Sequence, residues 1–147
     1  MWIYNPELNF GFDIPDDFEE IEKADYKKYH IHEGTLNIFI RYDEDGVHTI
    51  SINRDDKAAN EDEYMELVWL NIKNMEEAGM RVTQHLHHYK DNRRVDILYS
   101  EYKTLKYVTY FTTINGTVIA CSNEIKEIND AEDKIVAALF DSIECWF

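Results

Sequence analysis

Basic residues are scarce in this chain: 15 Lys and Arg stand against 30 Asp and Glu, for a formal net charge of −15. Such a field repels phosphate backbones, which removes nucleic acid from the expected partners and leaves a basic protein among them. Solubility alone is also a sufficient role for this acidity. Cysteines number two, Cys121 and Cys145, with no C-x-x-C spacing. That excludes a disulfide framework and fits buried, inert thiols in a reducing compartment. Glycines number five, four of them at turns or helix ends, so no Gly-rich cradle for phosphate exists. No apolar run approaches the length of a membrane span. The opening residues MWIYNPELNFGFDIP lack the basic and apolar regions of a secretory leader, so a cytoplasmic location is expected.

What the chain does have is apolar and aromatic pattern, 44% and 14% of 147 residues, enough for one domain (1–147) with a full core. Lys106 to Asn123 holds most of the signal. Asn115-Gly116 supplies two residues that tolerate positive φ, as a two-residue type I′ turn requires, so the stretch reads as a hairpin of Lys106–Ile114 and Thr117–Asn123. Apolar side chains on both faces of both arms place it at the centre of a sheet covered on each side. Met80–Lys90 and Arg93–Glu101 precede it, completing a four-stranded antiparallel meander.

Earlier strands are read at 8–13, stopped by Pro15, at 26–32 (YKKYHIH), at Leu36–Tyr42, and at Val47–Asn53 after an Asp45-Gly46 turn. The acidic run 16–23 reads as a loop or a single helical turn. Glu61–Ala78 is the main helix. Asn60 is its N-cap, Gly79 its terminator, and Tyr64, Leu67, Val68, Ile72 and Met75 form a core stripe widened by Met65, Trp69 and Leu70. A second helix runs from a cap at Asn129 or Asp130 to about Glu144, with Ile128, Ala131, Ile135, Leu139 and Ile143 facing the core and Val136, Ala138 and Phe140 extending the stripe. The fold class is therefore α+β, an antiparallel meander sandwiched by two main helices, with the closing Trp146 and Phe147 tucked against the sheet.

The segment Phe10-Gly-Phe-Asp-Ile-Pro-Asp-Asp-Phe18 resembles the F-x-F-x-I-P-x-x-W/F opening of the PsbP-like/DcrB-like family of small α/β/α sandwiches. The likeness continues through Val47–Asn53, Glu61–Gly79, Tyr107-Val-Thr-Tyr-Phe111, Asn115-Gly116 and Ser142-Ile143, and covers nearly the whole chain. It implies a single PsbP-like domain and a binding, assembly or chaperone-like role without a shared active site. Some relatives act as adaptors that hold hydrophobic segments of secreted effectors. No set of functional residues carries over, and this chain lacks the leader of the exported members.

The residues themselves offer few reactive constellations. His30-x-His32 and His85-x-His87 each place two imidazoles on one face of a strand, so two such pairs on neighbouring strands supply four nitrogen ligands for zinc, nickel or copper. A solvated strand face is the ordinary reading of the same pattern. Cys121 or Ser122 has no nucleophile elbow around it. Neither an enzyme nor a cofactor is expected. The expected partner is another protein, basic or bearing an exposed apolar segment, met through a sheet face or the groove between helix and sheet. Trp2, Tyr4, Trp69 and Trp146 are the candidate anchors. An immunity protein neutralising a basic toxin is the alternative, and a metal-binding protein the third reading. Finally, Arg81, Lys90, Arg93, Arg94, Lys103 and Lys106 cluster in one segment, while Asp16, Asp17, Glu19, Glu20, Glu22, Asp43 to Asp45, Asp55 and Asp56 load the first half. This pattern implies charge polarity between two sheet edges, or cations guarding an edge strand.

Overall fold

The computed structural model describes residues 1–43, 46–125 and 130–145. Its first strands are β1 (Trp2–Asn5) and β2 (Phe10–Asp13), followed by β3 (Glu19–Glu20), β4 (Thr35–Asp43) and β5 (Gly46–Lys57). Helix α1 (Glu61–Glu77) comes next, then β6 (Arg81–Lys90), β7 (Arg93–Tyr102), β8 (Leu105–Ile114) and β9 (Thr117–Ile125). Helix α2 (Asp130–Asp141) and β10 (Glu144–Cys145) complete the chain. The architecture is α+β: a seven-stranded antiparallel sheet ordered β3-β4-β5-β9-β8-β7-β6, and a small sheet ordered β1-β2-β10.

The expected meander is present as β6 to β9, but it runs backward. The α1 connection crosses the sheet and delivers β6 to its far edge, so the consecutive hairpins return and bring β9, not β6, beside β5. Two-residue turns enforce this. Asn115 and Gly116 have φ of 49° and 80°, and Asp91 and Asn92 have 50° and 63°, the paired positive values of type I′ turns.

Helix α1 begins where Asn60 accepts the Glu63 backbone N–H at 2.9 Å and ends before Gly79, whose φ of 91° an L side chain resists. It buries Tyr64, Val68 and Ile72 on Leu98, Phe111 and Val118. The other face of the same strands, Val95, Val108, Tyr110, Ile114, Ile119 and Cys121, receives Val136, Leu139 and Phe140 of α2 together with Phe10 and Phe12 of β2. Side-chain alternation along β8 and β9 thus feeds two cores, one per helix.

Several expectations need correction. YKKYHIH is no strand. A 3-10 turn at Lys23–Asp25 and a left-handed His30 (φ 57°) coil it into a loop, because its four polar residues have no face to bury. Within the acidic run, Glu19–Glu20 pairs with β4 as a strand. The strand foreseen at 8–13 is shorter; β1 pairs with it as a local hairpin, and β10 joins it through a long-range pairing that no local pattern encodes. On α1, Trp69 and Leu70 are exposed and leave the core stripe to narrower packing; on α2, Ala138 is exposed and Asp141 ends the helix before Glu144. Asn129, Ile128, the Asp45 half of the β4–β5 turn, Trp146 and Phe147 lie outside the described residues.

Both cysteines are free thiols. Burial pushes the Cys121 thiol far above its ordinary range. Burial also raises Cys145, against the pull of Arg93, whose Nη1 donates to Sγ at 3.1 Å. Native protein titrated with a thiol reagent at neutral pH should therefore label Cys145 slowly and Cys121 only on unfolding. Rapid modification of both would contradict this packing.

Candidate functional site

The two flanks of α1 differ in chemistry. On the β6 side lies a buried polar network. Asp96 enters from β7, opposite Phe111, and is fully buried. Its Oδ1 accepts Tyr64 Oη at 2.7 Å and Arg94 Nε at 3.0 Å, while Oδ2 accepts His85 Nε2 at 2.6 Å and Arg94 Nη2 at 3.3 Å. Burial pushes the Asp96 carboxyl up, but the donors His85, Tyr64 and Arg94, with the charge of Arg94, outweigh it and hold the carboxyl below its usual range. Burial, reinforced by Asp96, drives Tyr64 up, so its hydroxyl stays a donor; it also reaches the Phe111 carbonyl at 3.0 Å. Four donors fill the lone pairs of the carboxylate, leaving it no capacity to take a proton from a substrate. Its chemistry is to clamp α1 onto the β6–β7 hairpin.

Above this network the indole of Trp69, 56% exposed, meets His85 edge-on at 5.5 Å, and Tyr89 meets His87 at 6.4 Å. A depression of about 330 Å³ at the start of α1 is bordered by Asn60, Glu61, Tyr89 and Arg94. Tyr89 Oη donates to Glu61 and Arg94 lies 3.8 Å from the same carboxylate, whereas Arg93, which also lines the depression, has a buried Nε with no hydrogen-bond partner among the described residues.

On the β5 side the sheet extends past the helix. A trough of about 210 Å³ runs between Met75 and Met80 at the end of α1 and a row of polar groups on the sheet, Thr49, Ser51, Ser122, Thr109, Tyr107 and Glu124. Across the β4–β5 ladder, Ile38 stands beside Ser51, Ile40 beside Thr49 and Tyr42 beside Val47, so these side chains continue the same face. Tyr42 is 73% exposed and Val47 49%, with Ile38 and Ile40 half-buried. Among the described residues, no β4 side chain joins the cluster beneath α1. The result is a trough with the end of the helix for one wall and polar side chains on its sheet side, continued outward along β4 and β5 by an apolar strip.

The histidine pairs do not meet. His30 and His32 precede β4, while His85 and His87 lie on β6, with β5, β9, β8 and β7 between those strands. His32 Nδ1 accepts the Gly34 N–H at 2.9 Å, and His85 is committed to Asp96. No group of three or more His, Cys, Asp or Glu with metal-holding geometry occurs among the described residues. Of the aromatic candidates, Trp69 is an exposed ridge residue. Trp2 lies across Gly11, where an added Cβ would come within 2.4 Å of the indole, and Tyr4 Oη donates to Asn9 Oδ1 at 2.6 Å. Both belong to the small sheet, remote in sequence from the groove. Sequence reasoning missed Asp96, whose signal was a lone carboxylate between Val95 and Ile97. It named a groove between helix and sheet but not its residues, because α1 had to be placed before the uncovered strands could be known.

No family model matches the chain, and no curated protein matches it. Among solved structures it is similar to a protein of Bacteroides thetaiotaomicron VPI-5482, at 17% identity and a TM-score of 0.60. That match covers 99% of this chain and 48% of the other, so this chain spans about half the length of that one. It is also similar to the protein of unknown function PA94 of Pseudomonas aeruginosa, at 13% identity and a TM-score of 0.55, covering 90% and 92% of the two chains. At these identities the likeness shows the fold alone.

Proposed function

We propose that this chain is a non-enzymatic adaptor of PsbP-like type that holds an apolar segment of another protein in the groove between α1 and the β4–β5 half of the sheet. The observation that carries the reading is an apolar strip of exposed Tyr42 and Val47 with half-buried Ile38 and Ile40, on the same sheet face as the trough walled by Met75 and Met80. Contiguous apolar surface of this kind marks docking sites, and methionines adapt to segments of varied shape. The free thiols fit a reducing compartment such as the cytoplasm. The net charge of −15 fits a partner that is not nucleic acid.

The test is capture of the partner from the native cell by tagged wild type and by Ile40→Glu. Placing a carboxylate on the strip should reduce the captured partner roughly tenfold or more, since burying it costs far more than the isoleucine it replaces. Raising salt from about 0.1 to about 0.5 M should leave the wild-type yield unchanged. A partner retained by Ile40→Glu would sink the groove. A partner lost only at high salt would favour the second reading, an immunity protein that meets a basic toxin through the exposed acidic edge Asp16, Asp17, Glu19, Glu20 and Glu22.

A further inference from the structure

Strand β6 is the free edge of the seven-stranded sheet, opposite β3. Its ten residues, RVTQHLHHYK, contain no carboxylate in a chain that has 30, and none of the ten is buried. From Met80 to Lys106, six basic residues stand against three acidic ones, the reverse of the chain's overall balance. The acidic residues around β3 lie across the sheet, roughly 29 Å away at the ordinary strand spacing. That is several times the screening length of about 8 Å at physiological salt. The two edges therefore differ in charge: β3 carries two carboxylates, whereas the only formal charges on β6 itself are the cations Arg81 and Lys90. Arg81 bonds Glu101 at 2.8 Å and Lys90 bonds Asp141 at 3.3 Å, but such solvent-facing pairs exchange partners at little cost.

We propose that β6 is a docking edge for an extended, carboxylate-bearing segment of another protein, which adds to the sheet as a further strand. The edge supplies a ladder of backbone donors and acceptors, and Arg81 and Lys90 mark its two ends with positive charge. A second copy of this chain fits poorly. Two-fold pairing of β6 with itself runs antiparallel and, centred on Leu86, sets His85 opposite His87 and brings the Arg81 end of each copy to the Lys90 end of the other. The acidic edge of a second copy offers only the two residues of β3. Carboxylates on the incoming strand resolve this mismatch. The surface is separate from the groove beside β4 and β5 and does not depend on it.

The experiment uses the full chain, labelled with ¹⁵N, and two synthetic peptides of about ten residues, one alternating Glu with Thr and one alternating Lys with Thr. The Glu peptide should shift the amide resonances of Arg81–Lys90 and slow their hydrogen exchange, while the Lys peptide leaves them unmoved. Combining Arg81→Glu with Lys90→Glu should weaken the Glu peptide about tenfold or more, with the circular dichroism unchanged. Should that variant misfold, Lys90→Gln alone should weaken binding several-fold. Ile40→Glu should bind the peptide as wild type does, which separates this edge from the groove. The proposal is overturned by equal binding of both peptides, by shifts elsewhere than β6, or by absent binding at millimolar peptide, in which case the cations only guard the edge. It is equally overturned if β6 amides are protected without peptide and the mass doubles with concentration.

Discussion

Replacing Asp96 by alanine is expected to destabilise the fold by about 3 kcal/mol, because it removes the fully buried acceptor of three side chains and leaves the half-buried Arg94 without its main partner. Arg94 would keep Tyr89 and the 3.8 Å approach of Glu61, Tyr64 would keep the Phe111 carbonyl, and His85 would lose its acceptor. Tyr64→Phe removes a single donor and should cost about 2 kcal/mol, the usual range for a hydrogen bond to a charged group. Urea unfolding of the three proteins at neutral pH measures both values. The pH dependence carries the sign. The Asp96 carboxyl titrates below its ordinary range in the fold, so its contribution is complete above the unfolded value of about 3.9 and is lost as pH falls through the folded one. The gap between wild type and Asp96→Ala should therefore narrow on acidification below about pH 4. A gap of constant size would mean that Asp96 acts through packing and not through charge.

The second large effect concerns Phe111, which is completely buried beneath α1 and whose carbonyl accepts Tyr64. Phe111→Ala should cost about 3–5 kcal/mol, the transfer of the ring plus the cavity it leaves. Trp69→Ala, on the same helix–sheet seam, should cost under about 1 kcal/mol, since more than half of the side chain already faces water. The comparison separates two aromatic residues that the sequence treats alike. If the two variants unfold at the same denaturant concentration, α1 is seated differently from the arrangement described here.

That pair also shows where sequence reading reaches its end. The helix bounds were legible because capping is local: Asn60 bonds its own Glu63, and Gly79 takes a φ that other residues resist. The hairpins were legible for the same reason at Asn115-Gly116. Trp69 was not, because helical periodicity gives the direction of a stripe but not the width of the surface that receives it. Val68 and Ile72 fill the seam, and Trp69 overhangs its margin. Strand β10 exists only by pairing with β2, and a two-residue pattern cannot announce a partner more than a hundred residues away. His85 and Asp96 were both visible, yet their meeting depends on the β6–β7 register, which places His87, not His85, directly opposite Asp96. The groove was foreseen only as a category, since its apolar strip is defined by what α1 fails to cover.

The ladder between β5 and β9 sets the order in which this chain assembles. Hairpins β6 to β9 close over a few residues each, whereas Ile52 reaches Cys121 only after α1 and three strands have been gathered in between. Closing a loop of that length costs more chain entropy than closing a hairpin, so the ladder is expected to form after the hairpins. Weakening it, for instance by Ile52→Val, should quicken unfolding in stopped-flow experiments and barely change the refolding rate. Slower refolding would instead place the ladder in the nucleus. The β2–β10 pairing ties the same two stretches of chain a second time, so parting them means opening two ladders and the core they share.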